Sequence, residues 1–462
     1  MQGLKTRLLI LFIVGAVSLS MTPASVNAAQ LPVLDGIISI DGNHALDKKG
    51  VLWSWNEKTF EAVPVLDQVK KISESNAAIR TDGSVWTWGR KPGTTSGLSN
   101  VQPSQVEGLD KVNDISGNYA LKADGTVWSL GGLCEFQIQN DTCREGSSKE
   151  DQLRPGRIGE FENIAAIEGN GYFPIALAKD GTVWIWGYDK YGDPFLPIPV
   201  LDKSSMKTDN SNGITSISNG TLVTSSWNVY IMNRYSLYGL TEPSFNLAKL
   251  APNVSAVSGF VDGMGDFHAF SFVLTKDGKV SYWIWPVQDK KLYPVKGLDQ
   301  VKMVSAIGEG AGTALHKDGT VSSWGKLSQY YGDDKYKYNY KIIPKKVVKG
   351  IGIRLNNKYH LMDAQAAFIN GSIFVPVRGL IESLGGTVNY SNDFVTVKYG
   401  SHSITMEVWK NQATVDGNVV KLTAPVQIVR GSTMIPLRFV AQALGANVVW
   451  DGKNQEIHLT LK

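Results

Sequence analysis

Cysteine is almost missing from this chain: 462 residues hold two, Cys134 and Cys143. Histidine is nearly as scarce. His44, His268, His316, His360, His402 and His458 are scattered, with no His-x-His pair. Two cysteines without a nearby histidine make no zinc site, so neither a metal nor another cofactor is expected. The sequence also lacks a nucleophile elbow, a phosphate loop and a zinc-spaced histidine pair, which removes the commonest catalytic signatures. Charged residues make up 19%, below the usual quarter, and 46 basic residues stand against 42 acidic ones. That near balance excludes the concentrated basic face of a phosphate-driven nucleic-acid binder.

Long apolar runs are confined to the start. Lys5 and Arg7 precede the run from Leu8 to Leu19, and small residues follow at Val26-Asn27-Ala28. This is the layout of a signal peptide over residues 1–28, with export and cleavage near Ala28. The run is short for a bilayer span, and no later segment matches it, so the mature chain is expected to have no transmembrane anchor. It would be secreted, extracellular or cell-wall associated. Without Lys5 and Arg7 the counts are 44 basic and 42 acidic residues. In an exported chain, Cys134 and Cys143 read as one local disulfide.

Glycine and tryptophan are abundant, at 47 and 13. They recur in a fixed phrase: AIRTDGSVWTWG at 78–89, ALKADGTVWSLG at 120–131, ALAKDGTVWIWG at 176–187 and ALHKDGTVSSWG at 314–325, with weaker echoes at 45–55, 223–232 and 273–283. Asp-Gly suits a two-residue hairpin turn with positive φ at both residues. Val183 and Ile185 fall on one face of the following strand, Trp184 and Trp186 on the other, so both faces are apolar and need cover. The turn position recurs at Gly50, Gly83, Gly125, Gly181, Trp227, Gly278 and Gly319, at spacings of 33–56 residues. Seven small antiparallel sheets stacked face to face satisfy that demand, which predicts an all-β, seven-bladed propeller over residues 31–349. A second phrase leads into several hairpins: Ile72-Ser73, Ile115-Ser116-Gly117 and Val304-Ser305. The segment 342–349 is free to pair with the first blade.

These phrases resemble the repeat of the regulator of chromosome condensation family, which joins a "DG-x-V-x-x-W-G" hairpin to a glycine-containing loop. The short blades are also similar to secreted bacterial relatives, including a beta-lactamase-inhibiting propeller. The resemblance implies the fold. Nucleotide exchange on a nuclear GTPase does not carry over to an exported chain.

From Leu355 the pattern changes to a duplication with an offset of 60 residues: Phe374-Val375-Pro376-Val377-Arg378 against Met434-Ile435-Pro436-Leu437-Arg438. After each Pro the apolar spacing is helical, at Val377, Leu380, Ile381, Leu384 and at Leu437, Val440, Ala441, Leu444. Gly385 and Gly445 stand where a helix C-terminal glycine belongs. Short strands are expected at 387–390 and 447–450. This duplication resembles the copper amine oxidase N-terminal domain, also called a stalk domain, and implies a duplicated α+β module over residues 352–462. Such modules serve as spacers or attachment units, so the tail reads as an adaptor.

The hairpin tryptophans read as blade-to-blade core because their register is fixed. The Asp of Asp-Gly reads as a turn residue, and Arg378 and Arg438 as structural. Tyrosines in the polar loops are what the repeat does not require: Tyr188, Tyr191, Tyr235, Tyr238, Tyr330, Tyr331, Tyr336, Tyr338 and Tyr340. Tyr supplies rigid amphipathic contact area, so these are the candidate binding residues. The expectation is a non-enzymatic binding or scaffold protein that captures an extracellular protein or cell-wall polysaccharide. The alternative is a carbohydrate-active or lyase-type propeller enzyme with acids converging at one mouth. Clustered Asp, Glu and His at that mouth favour the enzyme, and a Tyr-lined mouth favours the binder.

Overall fold

The computed structural model describes residues 31–89, 102–131, 154–160, 162–169, 174–188, 194–201, 214–218, 221–224, 229–233, 244–248, 254–260, 269–285, 292–308, 310–325, 342–362 and 364–460. They form two compact units. One lies within Ala28–Ala366 and Val440–Lys462, and the other is Ala367–Phe439.

In the first unit seven antiparallel sheets follow one another among the described residues, over 37–66, 69–105, 112–157, 164–201, 214–248, 254–294 and 301–346. Each packs on the next, and the seventh returns to the first, so the sheets are the blades of a closed propeller. The hairpin turn differs from the expected two-residue form. Arg80 N–H donates to Ser84 O and Gly83 N–H to Arg80 O, and the same pair of bonds recurs at Asp47, Lys122, Ala178, Thr275 and His316. Only the glycine takes positive φ, +80 to +92° at Gly50, Gly83, Gly125, Gly181, Gly278 and Gly319. This is a three-residue loop, a type I turn closed by a left-handed glycine, which needs no positive φ from Asp. Asp is thereby free to cap: Asp82, Asp124, Asp180 and Asp318 accept the N–H two residues on, at 2.8–2.9 Å.

The core lies between blades. Trp55, Trp88, Trp186, Trp283 and Trp324 are each at most 3% exposed. In the clusters seen, this residue faces the preceding blade, where it meets a residue of the second strand. Trp88 packs edge-on against His44 at 5.3 Å, Trp186 against Tyr119 at 5.1 Å and Trp324 against Phe272 at 5.1 Å. In blade 3 the large residue is Leu130, and it shares a cluster with Ala77. The other tryptophans of the phrase are only half-buried at Trp86 and Trp128. Arg80 and Lys122 lie over their rings, 4.1 and 4.8 Å from the centroids.

Residues 347–350 lock the ring. Val347 N–H donates to Val321 O of blade 7, Leu34 N–H to Val347 O, and Val348 N–H to Phe60 O. Val348–Lys349 then pairs in parallel with Glu61–Ala62 on the outer strand of blade 1. Beyond it, strands Gly352–Leu355 and Glu456–Thr460 pair in parallel within the same unit. That sheet is tied to the propeller through Arg354, which bonds Glu456 at 3.0 Å and Asp67 at 3.5 Å and stacks on Tyr359. Leu361 packs on the blade 1–blade 2 core, and its backbone exchanges two bonds with the Gln102 side chain.

In the second unit the two copies meet symmetrically. Ser372–Pro376 pairs antiparallel with Ser432–Pro436 in the register Phe374↔Pro436, Val375↔Ile435, Pro376↔Met434. With a 60-residue offset this is self-complementary pairing about Val375 and Ile435. Helices Val377–Ser383 and Leu437–Ala443 follow each Pro, and Gly385 and Gly445 end them at φ +83° and +65°. Strand Thr387–Ser391, in this unit, and strand Asn447–Asp451, in the first unit, lie where short strands were expected. Arg378 stays on the surface, 3.6 Å from Glu382 and over the Tyr390 ring.

Trp324→Ala removes a fully buried ring from the blade 6–blade 7 core. It should cost about 3–5 kcal/mol, measured by chemical denaturation. Trp86→Ala, at a half-buried position, should cost clearly less.

Candidate functional site

Each innermost strand carries, near the propeller axis, one equivalent position: Asp41, Ser73, Ser116, Glu168, Ser218, Ser258 and Ser305 in blades 1 to 7. The second sequence phrase marks this place. At four junctions its side chain accepts the backbone N–H of the following residue position in the next blade. Ser305 accepts from Gly42 (2.8 Å), Asp41 from Glu74 (3.2 Å), Ser116 from Gly169 (2.9 Å) and Ser258 from Ala306 (2.9 Å). The hydroxyls then donate onward where the next blade carries an acid, Ser116 to Glu168 at 3.1 Å and Ser305 to Asp41 at 3.3 Å. The result is a hydrogen-bonded belt around the axis.

The strands approach so closely here that side chains are excluded. A Cβ on Gly117 would meet Gly169 O at 2.3 Å, and one on Gly169 would meet Ser116 O at 2.1 Å. Blades 5 and 7 carry Asn219 and Ala306 at the glycine position, and blade 2 places Glu74 there. It fits because its neighbour is Gly42, whose missing Cβ would lie 2.7 Å from the Glu74 Cβ.

Three carboxylates thus gather at the axis, from blades 1, 2 and 4. They are enclosed by protein although partly open to the channel. Burial pushes Asp41 up to about 6, against the hydrogen bonds from Glu74 and Ser305 that favour its charged form. Burial raises Glu74 well above the usual carboxylate range, helped by the negative charges of Asp41 and Glu168. Behind them His44 is buried, its Nε2 3.0 Å from Asn76 Oδ1, and burial lowers it to about 4. Lys71 pairs with Asp114 on the same inner strands. A protonated carboxyl beside two others can donate a hydrogen bond or a proton, and a deprotonated one favours a cation. Among the described residues no three His, Cys, Asp or Glu come together as a metal-ligand set.

A second concavity, of about 420 Å³, lies beside the blade 7 hairpin and is lined by Asp299, Gln300, His316, Lys317, Asp318 and Lys346. Both His316 nitrogens are engaged, Nδ1 with Asp299 O at 2.7 Å and Nε2 with Ser322 Oγ at 2.8 Å, so it offers no free base. The hairpin aspartates are equally occupied. Hydrogen bonds from Ser84, Thr126 and Thr320 hold Asp82, Asp124 and Asp318 below the usual carboxylate range.

Of the tyrosines, Tyr188 ends the strand Val183–Tyr188, its backbone paired with Pro194. Tyr191, Tyr235, Tyr238, Tyr330, Tyr331, Tyr336, Tyr338 and Tyr340 lie outside the described residues, as do Cys134 and Cys143. The axial acids were the residues missed. Their signal was present: aligning the blades on the Ile-Ser phrase puts Asp41 and Glu168 where the other blades carry Ser, and Glu74 one step on, where blades 1, 3, 4 and 6 carry Gly.

Residues 354–459 match the family model described as the copper amine oxidase N-terminal domain. Among curated proteins, the chain is 25% identical over 173 residues to Protein pim1 of Schizosaccharomyces pombe, covering 34% of this chain and 31% of that one. It is 28% identical over 98 residues to the regulator of chromosome condensation of Mus musculus, 21% of each chain. It is also 24% identical over 216 residues to the human E3 ubiquitin-protein ligase HERC2, 38% of this chain and 4% of that one. The chain therefore spans a third or less of the length of these relatives. Among solved structures, yeast RCC1 (Prp20) bound to Kap60 aligns at TM-score 0.42 and 16% identity, over 63% of this chain and 81% of that one. Human WBSCR16 aligns at 0.42 and 15%, over 63% and 84%. The propeller is similar to those of the regulator of chromosome condensation family, and the tail to a copper amine oxidase N-terminal domain.

Ser116→Ala strips the belt of two bonds, from Gly169 N–H and to Glu168, and removes the acceptor of the Gly169 N–H. Denaturant melts should show a loss of about 1–3 kcal/mol. Ser84→Ala, on an exposed turn, should lose less.

Proposed function

We propose that this is a secreted, non-enzymatic binding or scaffold protein. Its propeller loops capture an extracellular protein or a cell-wall glycan, and its tail acts as a spacer or attachment module. The observation that carries this reading is how fully the fold consumes the repeated residues. The blade-facing tryptophans fill the spaces between blades, the hairpin aspartates cap their own turns, and axial serines bond one blade to the next. Recognition then falls to residues outside the repeat, and the loop tyrosines are the most numerous of these with suitable chemistry. The family match supports the adaptor role for the tail, because it is to an N-terminal, non-catalytic domain. No helix among the described residues is long and apolar enough to cross a membrane.

One observation favours the second reading, a carbohydrate-active or lyase-type enzyme. Burial and the negative charges of Asp41 and Glu168 raise the Glu74 carboxyl well above its usual range, and a carboxyl so raised can serve as a general acid. Product release from plant or bacterial polysaccharides, abolished by Glu74→Gln, would establish that reading in place of the first.

Replacing Tyr330, Tyr331, Tyr336 and Tyr338 by Ser tests the binding reading directly. Thermal melting should be unchanged, while capture of the native partner from culture, or binding to purified cell wall, should weaken about 30-fold or more, roughly 2 kcal/mol. Capture that survives these changes, but is lost on deleting residues 352–462 in a propeller that still melts normally, would reverse the roles of the two parts.

A further inference from the structure

Blades 1, 2, 3, 4 and 7 carry an acid two residues before the inner strand begins: Asp35, Asp67, Asp110, Glu162 and Asp299. The first four each hold a basic side chain. Asp35 pairs with Lys349 at 2.6 Å, Asp67 with Arg80 at 3.0 Å, Asp110 with Lys122 at 2.6 Å and Glu162 with Arg157 at 3.3 Å. Asp299 has no such partner among the described residues, and the reason is local. Arg80 and Lys122 end the second strands of blades 2 and 3, where they lie over the rings of Trp86 and Trp128. Blade 7 has lost both members of that pair. His316 stands in place of the cation and Ser322 in place of the indole.

The two smaller residues leave the place open. The His316 ring is spent on Asp299 O and Ser322 Oγ and does not reach the Asp299 carboxylate as a cation would. Lys346, opposite Ser322 on the outer strand, donates to Thr320 Oγ1 at 2.9 Å. The indoles of Trp86 and Trp128 make the same bond to Ser84 and Thr126 in their own blades. Asp318 holds the Thr320 hydroxyl from the other side, and the Lys346 charge acts on it, so these two charges offset one another. What remains is the concavity of about 420 Å³, and Asp299 and Lys317 both line it. Both are exposed, and among the described residues neither has an ionic partner. One wall thus presents a free carboxylate and another a free ammonium group.

We propose that this concavity binds a zwitterionic ligand, an amino acid or peptide segment that presents an ammonium group to Asp299 and a carboxylate to Lys317. The ammonium repeats the pairing that Arg80 and Lys122 make with Asp67 and Asp110. The carboxylate answers a lysine that has no acid of its own. A simple cation would satisfy Asp299 but be repelled by Lys317 and Lys346, and a simple anion would be repelled by Asp299. On an open surface such pairs add little, because water and salt screen them. A ligand seated in the concavity displaces water from both charges, and its two pairs form together. The site uses none of the loop tyrosines, so its test and theirs are independent.

Calorimetric titration of the full-length protein with glycine, β-alanine and ε-aminocaproate covers short to long separations of the two charges. Ethylamine and acetate serve as single-charge controls. At least one zwitterion should bind, and both controls should bind at least about 10-fold more weakly. Asp299→Asn and Lys317→Gln should each weaken that zwitterion about 10-fold or more, with melting temperatures at the wild-type value. Combining His316→Arg with Ser322→Trp restores the arrangement of blade 2 and fills the concavity, so it should abolish binding. The two single substitutions are surface changes, and they decide the matter if the combined variant does not fold. Failure of all three zwitterions to bind overturns the proposal. So does binding that a control matches, that either single substitution leaves intact, or that survives in a folded combined variant.

Discussion

A strand pair with apolar side chains on both faces has no stable existence by itself, and that constraint organises the propeller. In every blade whose side chains are described, Val183 or its equivalent faces one neighbour and Trp186 or its equivalent the other, and both are buried. No blade is a domain in its own right. Stability resides in the spaces between blades, where one partner of each large residue is supplied by the preceding sheet. The pairing of Leu130 with Ala77, against Trp88 with His44 and Trp324 with Phe272, shows how loosely that space is specified residue by residue. What is filled is a gap whose walls are set by backbone geometry, and a smaller residue serves where its surroundings close in.

The belt answers a different need. Interblade packing is apolar and non-directional, and it leaves open how inner strands align where they crowd the axis. Hydrogen bonds from Gly42, Glu74, Gly169 and Ala306 to the preceding blade's side chain give these four junctions a register. The crowding that makes glycine necessary at Gly117 and Gly169 also brings the N–H within reach of the serine oxygen, so close approach and hydrogen bond are one device. Placing an acid in such a device has an electrostatic cost that serine does not, and Asp41 and Glu168 stand where that cost is shared by an incoming hydroxyl.

The hairpins, the blade-facing tryptophans and the duplicated tail were legible because each repeats, and repetition exposes the positions that the fold reuses. The turn class was not. Asp-Gly is compatible with both a two-residue and a three-residue loop, and only the bond from Gly83 N–H to Arg80 O distinguishes them. The axial acids were hidden for a related reason. Asp41 precedes Gly42 and Glu168 precedes Gly169, so each reads as part of a turn. Nothing in a linear sequence says that blades 1, 2 and 4 bring them to one axis. The loop tyrosines were singled out by composition alone, and only Tyr188 falls in a described strand.

The tail carries the same lesson in another form. Its two copies were readable to the residue, yet the order in which their strands pair was not. The five-stranded sheet takes Thr387–Ser391, Phe394–Tyr399 and His402–Glu407 from one copy and Gln412–Val415 and Asn418–Lys421 from the next. A four-stranded mixed sheet joins Gly352–Leu355 of the first copy to Glu456–Thr460 of the second. Each sheet is completed across the duplication, as the blades are completed by their neighbours. Repeats of this kind cannot bury their apolar faces alone, so the partner has to be the next copy, and the self-complementary pairing at Val375 and Ile435 is what two equal strands adopt when they meet antiparallel. Duplication supplies both halves of such an interface at once, which is why the module's symmetry is visible in its sequence although its strand exchange is not.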